Sequence, residues 1–162
     1  MKPLDPTLER LRFLVRIVEK QVKLLHRSDL ALFEPNQMSW VLSDLETDDL
    51  LANALETFVV RFGRLQDILG DKLLPKLLIA LNERPKSFSD NLDLAEKLGW
   101  IESASDWLAM RELRNQLIHE YIEDVQTLKL ALDKAHAFVP ELGQVAKNLI
   151  LEISRRGWLK MA

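Results

Sequence analysis

Apolar residues recur every three or four positions along most of this chain, and this repeat restricts its fold more than any other feature. A stripe with that spacing lies on one face of an α-helix, because the helix has 3.6 residues per turn. Glycine and proline, which interrupt helices, number only five and six in 162 residues. The sequence therefore predicts an all-α protein.

The first half of the chain contains the two clearest stripes. We expect a helix from about Pro6 to Phe33, with apolar positions that alternate in steps of three and four: Leu8, Leu11, Val15, Val18, Val22 and Leu25. A second helix is predicted to open at Ser43, with Glu46 three residues later as a capping box. Its stripe continues through six positions: Leu51, Leu55, Phe58, Phe62, Leu65 and Leu69. The acidic residues around its start favour capping over metal binding.

A break or a kink is expected before Leu77, where Gly70 and Pro75 interrupt that stripe. Three further helices are predicted after it, each bounded by a capping residue or a breaker: Asp90–Leu98, a segment that Ser103 and Asp106 begin, and Val125–Leu151. Pro140 either kinks the last helix or starts its second half. We expect an up-and-down helical bundle of four main helices plus a short inserted helix, as a single domain over residues 1–162.

Composition limits where such a protein works. The chain is 48% hydrophobic and 29% charged with a net charge of −3, so any nucleic-acid contact must use a local basic patch. It has no cysteine, which fits a reducing cytoplasm. The N-terminus does not resemble a signal peptide, and no apolar run approaches membrane-spanning length. These features predict a cytoplasmic protein that does not enter a membrane.

Eight residues carry the clearest chemical information: Arg114-Asn115-Gln116-Leu117-Ile118-His119-Glu120-Tyr121. The octet lies at the end of a predicted helix and contains one of three histidines and the single tyrosine of the chain. A permanent cation, a group that titrates near neutral pH and a phenol thus lie within about two helical turns. Arginine and histidine are the pair needed to bind a phosphate and move its protons.

A helical wheel places Arg114 in the middle of an apolar face formed by six residues: Trp107, Met110, Leu113, Leu117, Ile118 and Tyr121. A guanidinium there needs a partner, which could be an acid from another helix, backbone carbonyls or a bound phosphate. His119 is rotated by roughly 140° from Arg114 in an ideal helix. The two side chains therefore converge only if the helix distorts near its end or if two chains pool their residues.

Such a site could cleave RNA. A neutral His119 can accept the proton of a ribose 2′-hydroxyl as general base, and Arg114 can stabilise the charge on the phosphorane oxygens. Asn115 can orient the phosphate or the imidazole, and Tyr121 can donate a hydrogen bond. The mechanism requires no metal or cofactor, and the sequence has no metal-binding motif, P-loop, GxGxxG or GxSxG.

The pattern Arg-Asn-x-x-x-His-x-Tyr resembles the signature of HEPN domains, and is most similar to that of the HepT-like toxins and the related nucleotidyltransferase substrate-binding proteins. The similarity is sharp over about Ser103 to Tyr121; elsewhere it extends only to length and an all-helical layout. It implies a homodimer with two motif copies facing a shared cleft, in which Arg114 and His119 form the ribonuclease pair and Asn115 is their polar companion. Tyr121 would match the tyrosine that a partner minimal nucleotidyltransferase modifies with AMP.

Three functions remain open at this point. The first is a metal-independent endoribonuclease toxin, silenced when an AMP group places negative charge beside the cleft. The second is a non-catalytic partner protein for a nucleotidyltransferase, and the third is a structural bundle in which Arg114 forms a salt bridge. For the first, RNA would contact a basic stripe on one face of the first helix and two arginines of the second: Arg12, Arg16, Lys20, Arg61 and Arg64. The alternative for that stripe is a solvated face.

Overall fold

The computed structural model describes residues 5–33, 47–119 and 125–160 of the chain. Every regular element in these ranges is helical, which confirms the all-α prediction for the described part of the chain. In chain order the elements are α1 (Pro6–Phe33), α2 (Asp49–Asp67), a π-helical segment (Ile68–Leu73), α3 (Leu74–Ala80), α4 (Phe88–Lys97), α5 (Ala104–His119) and α6 (Val125–Arg155).

The bounds of α1 are those that the sequence predicts. Its stripe is buried at Leu11, Val15, Val18 and Leu25, because this face packs on α2 and α6. The buried apolar side chains of the described residues form one core cluster. Trp158, which follows α6, packs against that cluster, and its carbonyl accepts a hydrogen bond from Arg12. This contact fastens the end of α6 to the start of α1.

The start of α2 differs from the prediction. The helix begins at Asp49, and the carboxylate of Asp48 caps it by accepting a 3.1 Å hydrogen bond from the amide of Leu51. The described helix therefore begins six residues after Ser43, and the predicted capping pair of Ser43 and Glu46 lies outside the described residues. The prediction that an acidic residue near this start caps the helix is confirmed for Asp48.

The predicted break after α2 takes the form of a π-helical turn. Leu74 donates its amide proton to the carbonyl of Leu69, five residues back, and Pro75 lies in the first turn of α3. Proline removes one amide donor and crowds the carbonyl four residues before it, so a wider turn accommodates it without ending the helix. Leu69, Leu73 and Leu74 are buried through this turn, so the apolar face of the chain stays in the core.

Capping serines start both α4 and α5. Ser87 accepts a hydrogen bond from the amide of Asp90, so α4 begins at Phe88, two residues before the predicted start. Ser103 caps α5 as predicted, with a 3.1 Å bond from the amide of Asp106 to its hydroxyl. Gly99 has the positive φ of 78° that the turn after α4 requires.

α5 packs on α2, α4 and α6, and α1 in turn packs on α2 and α6. α6 continues through Pro140 as one helix, so the proline does not divide it into two. No helix among the described residues is long and apolar enough to cross a membrane.

Candidate functional site

The first six residues of the octet, Arg114 to His119, form the C-terminal end of α5, and the apolar face of this helix packs into the core. Trp107, Met110 and Leu113 are buried, as the helical wheel predicts. Ile118 departs from that pattern, because 42% of it is exposed. The apolar face therefore opens towards solvent in the last turn of the helix.

Two glycines allow α5 to lie close to the chain segment formed by α2 and the π-helical turn. A Cβ added to Gly63 would be 3.1 Å from Cγ and Nε of Arg114, and one added to Gly70 would be 3.2 Å from the indole of Trp107. Contacts this short mean that a larger residue would displace its neighbour. The order of these contacts shows that α5 runs antiparallel to α2.

Arg114 forms an ion pair with Asp67. Its Nη2 donates to Oδ2 of Asp67 at 2.8 Å, and the two side chains are 20% and 37% exposed. A guanidinium on the apolar face of α5 needs a partner, and an acid from another helix is one of the three partners that the sequence leaves open. This pair is the arrangement expected if Arg114 ties α5 to α2.

The ion pair leaves part of the local hydrogen-bonding capacity unused. Nε of Arg114 is buried and has no hydrogen-bond partner among the described residues. The neighbouring Gln66 is 3% exposed, and neither its Oε1 nor its Nε2 has a partner there. Since unpaired buried polar groups cost roughly 1–3 kcal/mol each, this part of the α2–α5 interface is not optimised for stability.

Of the other chemically important residues of the octet, the structure describes Asn115 and the backbone of His119. Asn115 is partly buried, and His119 is the last residue of α5. The side chain of His119 and the whole of Tyr121 lie outside the described part of the chain. The helix is continuous from Ala104 to His119, so its backbone has no distortion between Arg114 and His119 that would bring the two side chains together.

Arg111, one turn before Arg114, is held in a separate contact. Its guanidinium lies 4.2 Å from the ring centroid of Phe88 on α4 and 3.5 Å from a carboxylate oxygen of Asp71. Both α5 arginines thus face acids of the segment opposite, Asp67 and Asp71. The crevice beside Arg111 and these two acids, which Gln66 and Trp107 also line, has no room for a water-sized ligand.

The five residues predicted to contact RNA fall into two groups. Arg12 donates to the carbonyls of Trp158 and Lys160, and Arg61 donates to the carbonyl of Leu24 and the hydroxyl of Ser28. The other three are exposed: Arg16, Lys20 and Arg64. Arg12 and Arg61 therefore connect elements of the fold, while the exposed three have charges that a ligand can reach.

Within the described residues, no group of three or more histidine or acidic side chains is placed to hold a metal ion. The chain matches no family model, no curated protein and no solved structure. The similarity to HEPN domains consequently depends on the octet.

Sequence reasoning missed Asp67, Gly63 and Gln66. The chain has 25 acidic residues, and no motif distinguishes Asp67 from the others. A weak signal exists in the spacing of Gly63 and Asp67, which share one face of α2 at positions i and i+4. In chemical terms, the resulting site presents a fixed, partly exposed guanidinium one and a half turns before a histidine.

Proposed function

We propose that this protein is a metal-independent endoribonuclease toxin of the HEPN type, with a composite active site in the cleft of a homodimer. One observation carries the proposal: Asp67 holds the Arg114 guanidinium in place on a continuous helix that also contains His119. A cation fixed before the substrate arrives needs no reorganisation during the reaction. About a fifth of the Arg114 side chain is exposed, so a phosphate can approach it.

The continuity of α5 supports a site shared between two chains. Five residues of regular helix rotate His119 about 140° from Arg114, so one chain does not direct both groups at the same phosphate. A second copy related by a twofold axis would supply the missing group, and two equivalent sites would result. We also propose that the four longest helices form an up-and-down bundle and that the protein works in the cytoplasm.

In this proposal His119 removes the proton from the ribose 2′-hydroxyl, and the 2′-oxygen attacks the adjacent phosphorus. The 5′-oxygen leaves and takes up a proton from water, which yields a 2′,3′-cyclic phosphate and a 5′-hydroxyl. Arg114 stabilises the charge that develops on the non-bridging oxygens, and Asn115 orients the phosphate. A minimal nucleotidyltransferase acts as the antitoxin by transferring AMP from ATP to the Tyr121 hydroxyl, with release of pyrophosphate, and the added negative charge then repels RNA.

The test is incubation of the purified protein with total RNA in the presence of a chelator. We expect cleavage by the wild-type protein and a loss of at least 100-fold in His119→Ala and in Arg114→Ala. The matched controls are His26→Ala and Arg84→Ala, which remove the same residue types from exposed positions. Because Arg114→Ala also breaks an ion pair, its thermal unfolding is measured, and Arg114→Lys tests the guanidinium with the charge retained.

A second candidate is a non-catalytic partner of a nucleotidyltransferase. The contacts of Arg12 and Arg61 favour it, because each of these cations already has a partner within the fold. It predicts no RNA cleavage, together with a stable complex that depends on the octet face. Growth arrest on expression, relieved by a nucleotidyltransferase encoded nearby, would support the toxin; complex formation without arrest would support the partner protein.

A further inference from the structure

A cavity of about 270 Å³ lies between the connection before α5, the first turns of α5 and the middle of α6. Trp100, Trp107 and Met110 line one side, and Pro140 lines the other. A water molecule occupies ~30 Å³ in the liquid, so the cavity has the volume of about nine waters and suits a ligand of several heavy atoms. It faces α6, whereas Arg114 faces α2, so the two sites are separate.

The charges around this cavity are all negative. Glu102 and Glu141 line it, and no lysine, arginine or histidine does so in the part of the chain that the structure describes. Among the described residues, neither carboxylate forms an ion pair, and neither does the nearby Asp106. Burial, followed by the charges of Asp106 and Glu102, raises the pKa of Glu141. These carboxylates repel one another, and no lysine, arginine or histidine in the described ranges forms an ion pair with them.

The amide groups that line the cavity are already engaged. Asn148 donates from Nδ2 to the carbonyl of Trp100 at 3.0 Å, and Gln144 donates to Oδ1 of Asn148 at 2.9 Å. Two carboxylates beside an apolar wall are thus the strongest acceptors that remain. This combination suits a ligand with one cationic end and a short apolar chain.

We propose that this cavity binds a small aliphatic amine as its ammonium ion, with the ammonium group between Glu102 and Glu141 and the alkyl chain against Trp100 and Trp107. The bound cation relieves the repulsion between the carboxylates, and the alkyl chain gains a contact that excludes water. An alcohol of the same length gains only the apolar contact of its alkyl chain. A carboxylate of the same length is repelled by Glu102 and Glu141. The proposal does not depend on the ribonuclease function.

The test is an NMR titration of the full chain with n-butylammonium, with n-butanol and butyrate as neutral and anionic ligands of the same length. The indole N–H signals of Trp100 and Trp107, assigned with single Trp→Phe variants, report on the cavity, and Trp158 is the internal reference. We expect n-butylammonium to shift both cavity signals and to bind at least about tenfold more tightly than n-butanol. Butyrate should shift neither signal.

Three variants complete the experiment. Glu141→Gln and Glu102→Gln should each weaken n-butylammonium binding by about three- to tenfold, while Glu112→Gln, an exposed change of the same type on α5, should leave it unchanged. Unshifted indole signals in the unliganded variants show that the cavity is intact. Equal affinity for n-butanol, unchanged binding in both cavity variants, or no shift at Trp100 and Trp107 would each overturn the proposal.

Discussion

Gly63 on α2 lies directly against the side chain of Arg114 on α5. A Cβ at Gly63 would be 3.1 Å from both Cγ and Nε of Arg114, and 3.4 Å from Cδ1 of Ile118. The absence of a side chain at Gly63 therefore sets the distance between the two helices. It also determines where the guanidinium meets Asp67, one turn further along α2.

Gly63→Ala should destabilise the protein although it improves helix propensity. Alanine gains about 1 kcal/mol over glycine in a helix, but the displaced Arg114 and Ile118 cost about 1–3 kcal/mol. Gly143→Ala is the control, because Gly143 is also helical and a Cβ there meets nothing within 4 Å. Urea unfolding should show a loss for Gly63→Ala and a gain of up to about 1 kcal/mol for Gly143→Ala. Equal gains at both glycines would mean that the close contact is not limiting.

The pair of Arg114 and Asp67 should contribute a measurable coupling energy. Arg114→Met and Asp67→Asn, alone and combined, form a double-mutant cycle in which we expect a coupling of about 0.5–2 kcal/mol, because the pair is only partly buried. Arg111→Met with Asp71→Asn is the matched cycle for the longer, more exposed contact of 3.5 Å, and should give a smaller value. A coupling of zero for Arg114 and Asp67 would show that the pair does not stabilise the fold.

The stability of Glu141→Gln should depend on pH. The pKa of Glu141 is raised in the folded protein by burial and by Asp106 and Glu102, so the ionised group costs stability at pH values above its folded pKa. The variant should therefore be more stable than the wild-type protein at pH 7. The gain should be below about 1 kcal/mol because partly exposed charges are screened.

This difference should shrink as the pH falls from the folded pKa of Glu141 to below the ordinary glutamate value of about 4.3. Thermal unfolding of both proteins between pH 4 and 8 measures it. Glu112→Gln controls for the loss of one negative charge. A gain that stays constant over this range would assign the effect to packing and not to ionisation.

Sequence periodicity and capping predict the helices well where the relevant forces are local. The bounds of α1 and the cap of α5 at Ser103 follow from adjacent residues. Local rules fail at the start of α2, because Ser43 and Asp48 are both competent caps and the sequence does not choose between them. They predict a break near Pro75, but the π-helical turn that keeps the chain helical depends on the core it packs against.

In the candidate site, too, the sequence predicts the features that depend on adjacent residues and misses those that depend on tertiary packing. The wheel correctly places Trp107, Met110 and Leu113 in the core and indicates that Arg114 needs a partner. The identity of Asp67 depends on how α5 docks on α2, which is a tertiary relationship that no local pattern encodes. Gly63 makes that docking possible, yet in the sequence it is only a glycine inside a helical stripe.

Mixing two inactive variants should restore activity if two chains share the active site. In a homodimer of Arg114→Ala every site lacks the arginine, and in one of His119→Ala every site lacks the histidine. A heterodimer of the two has one site with both groups mutated and one with both intact, provided that each site takes Arg114 from one chain and His119 from the other. Subunit exchange at equal concentrations forms half of the dimers as heterodimers, each with one active site of two, so RNA cleavage should recover to about a quarter of the wild-type rate. If each site used both residues of one chain, every site in the mixture would lack one group and cleavage would stay at the level of the single variants.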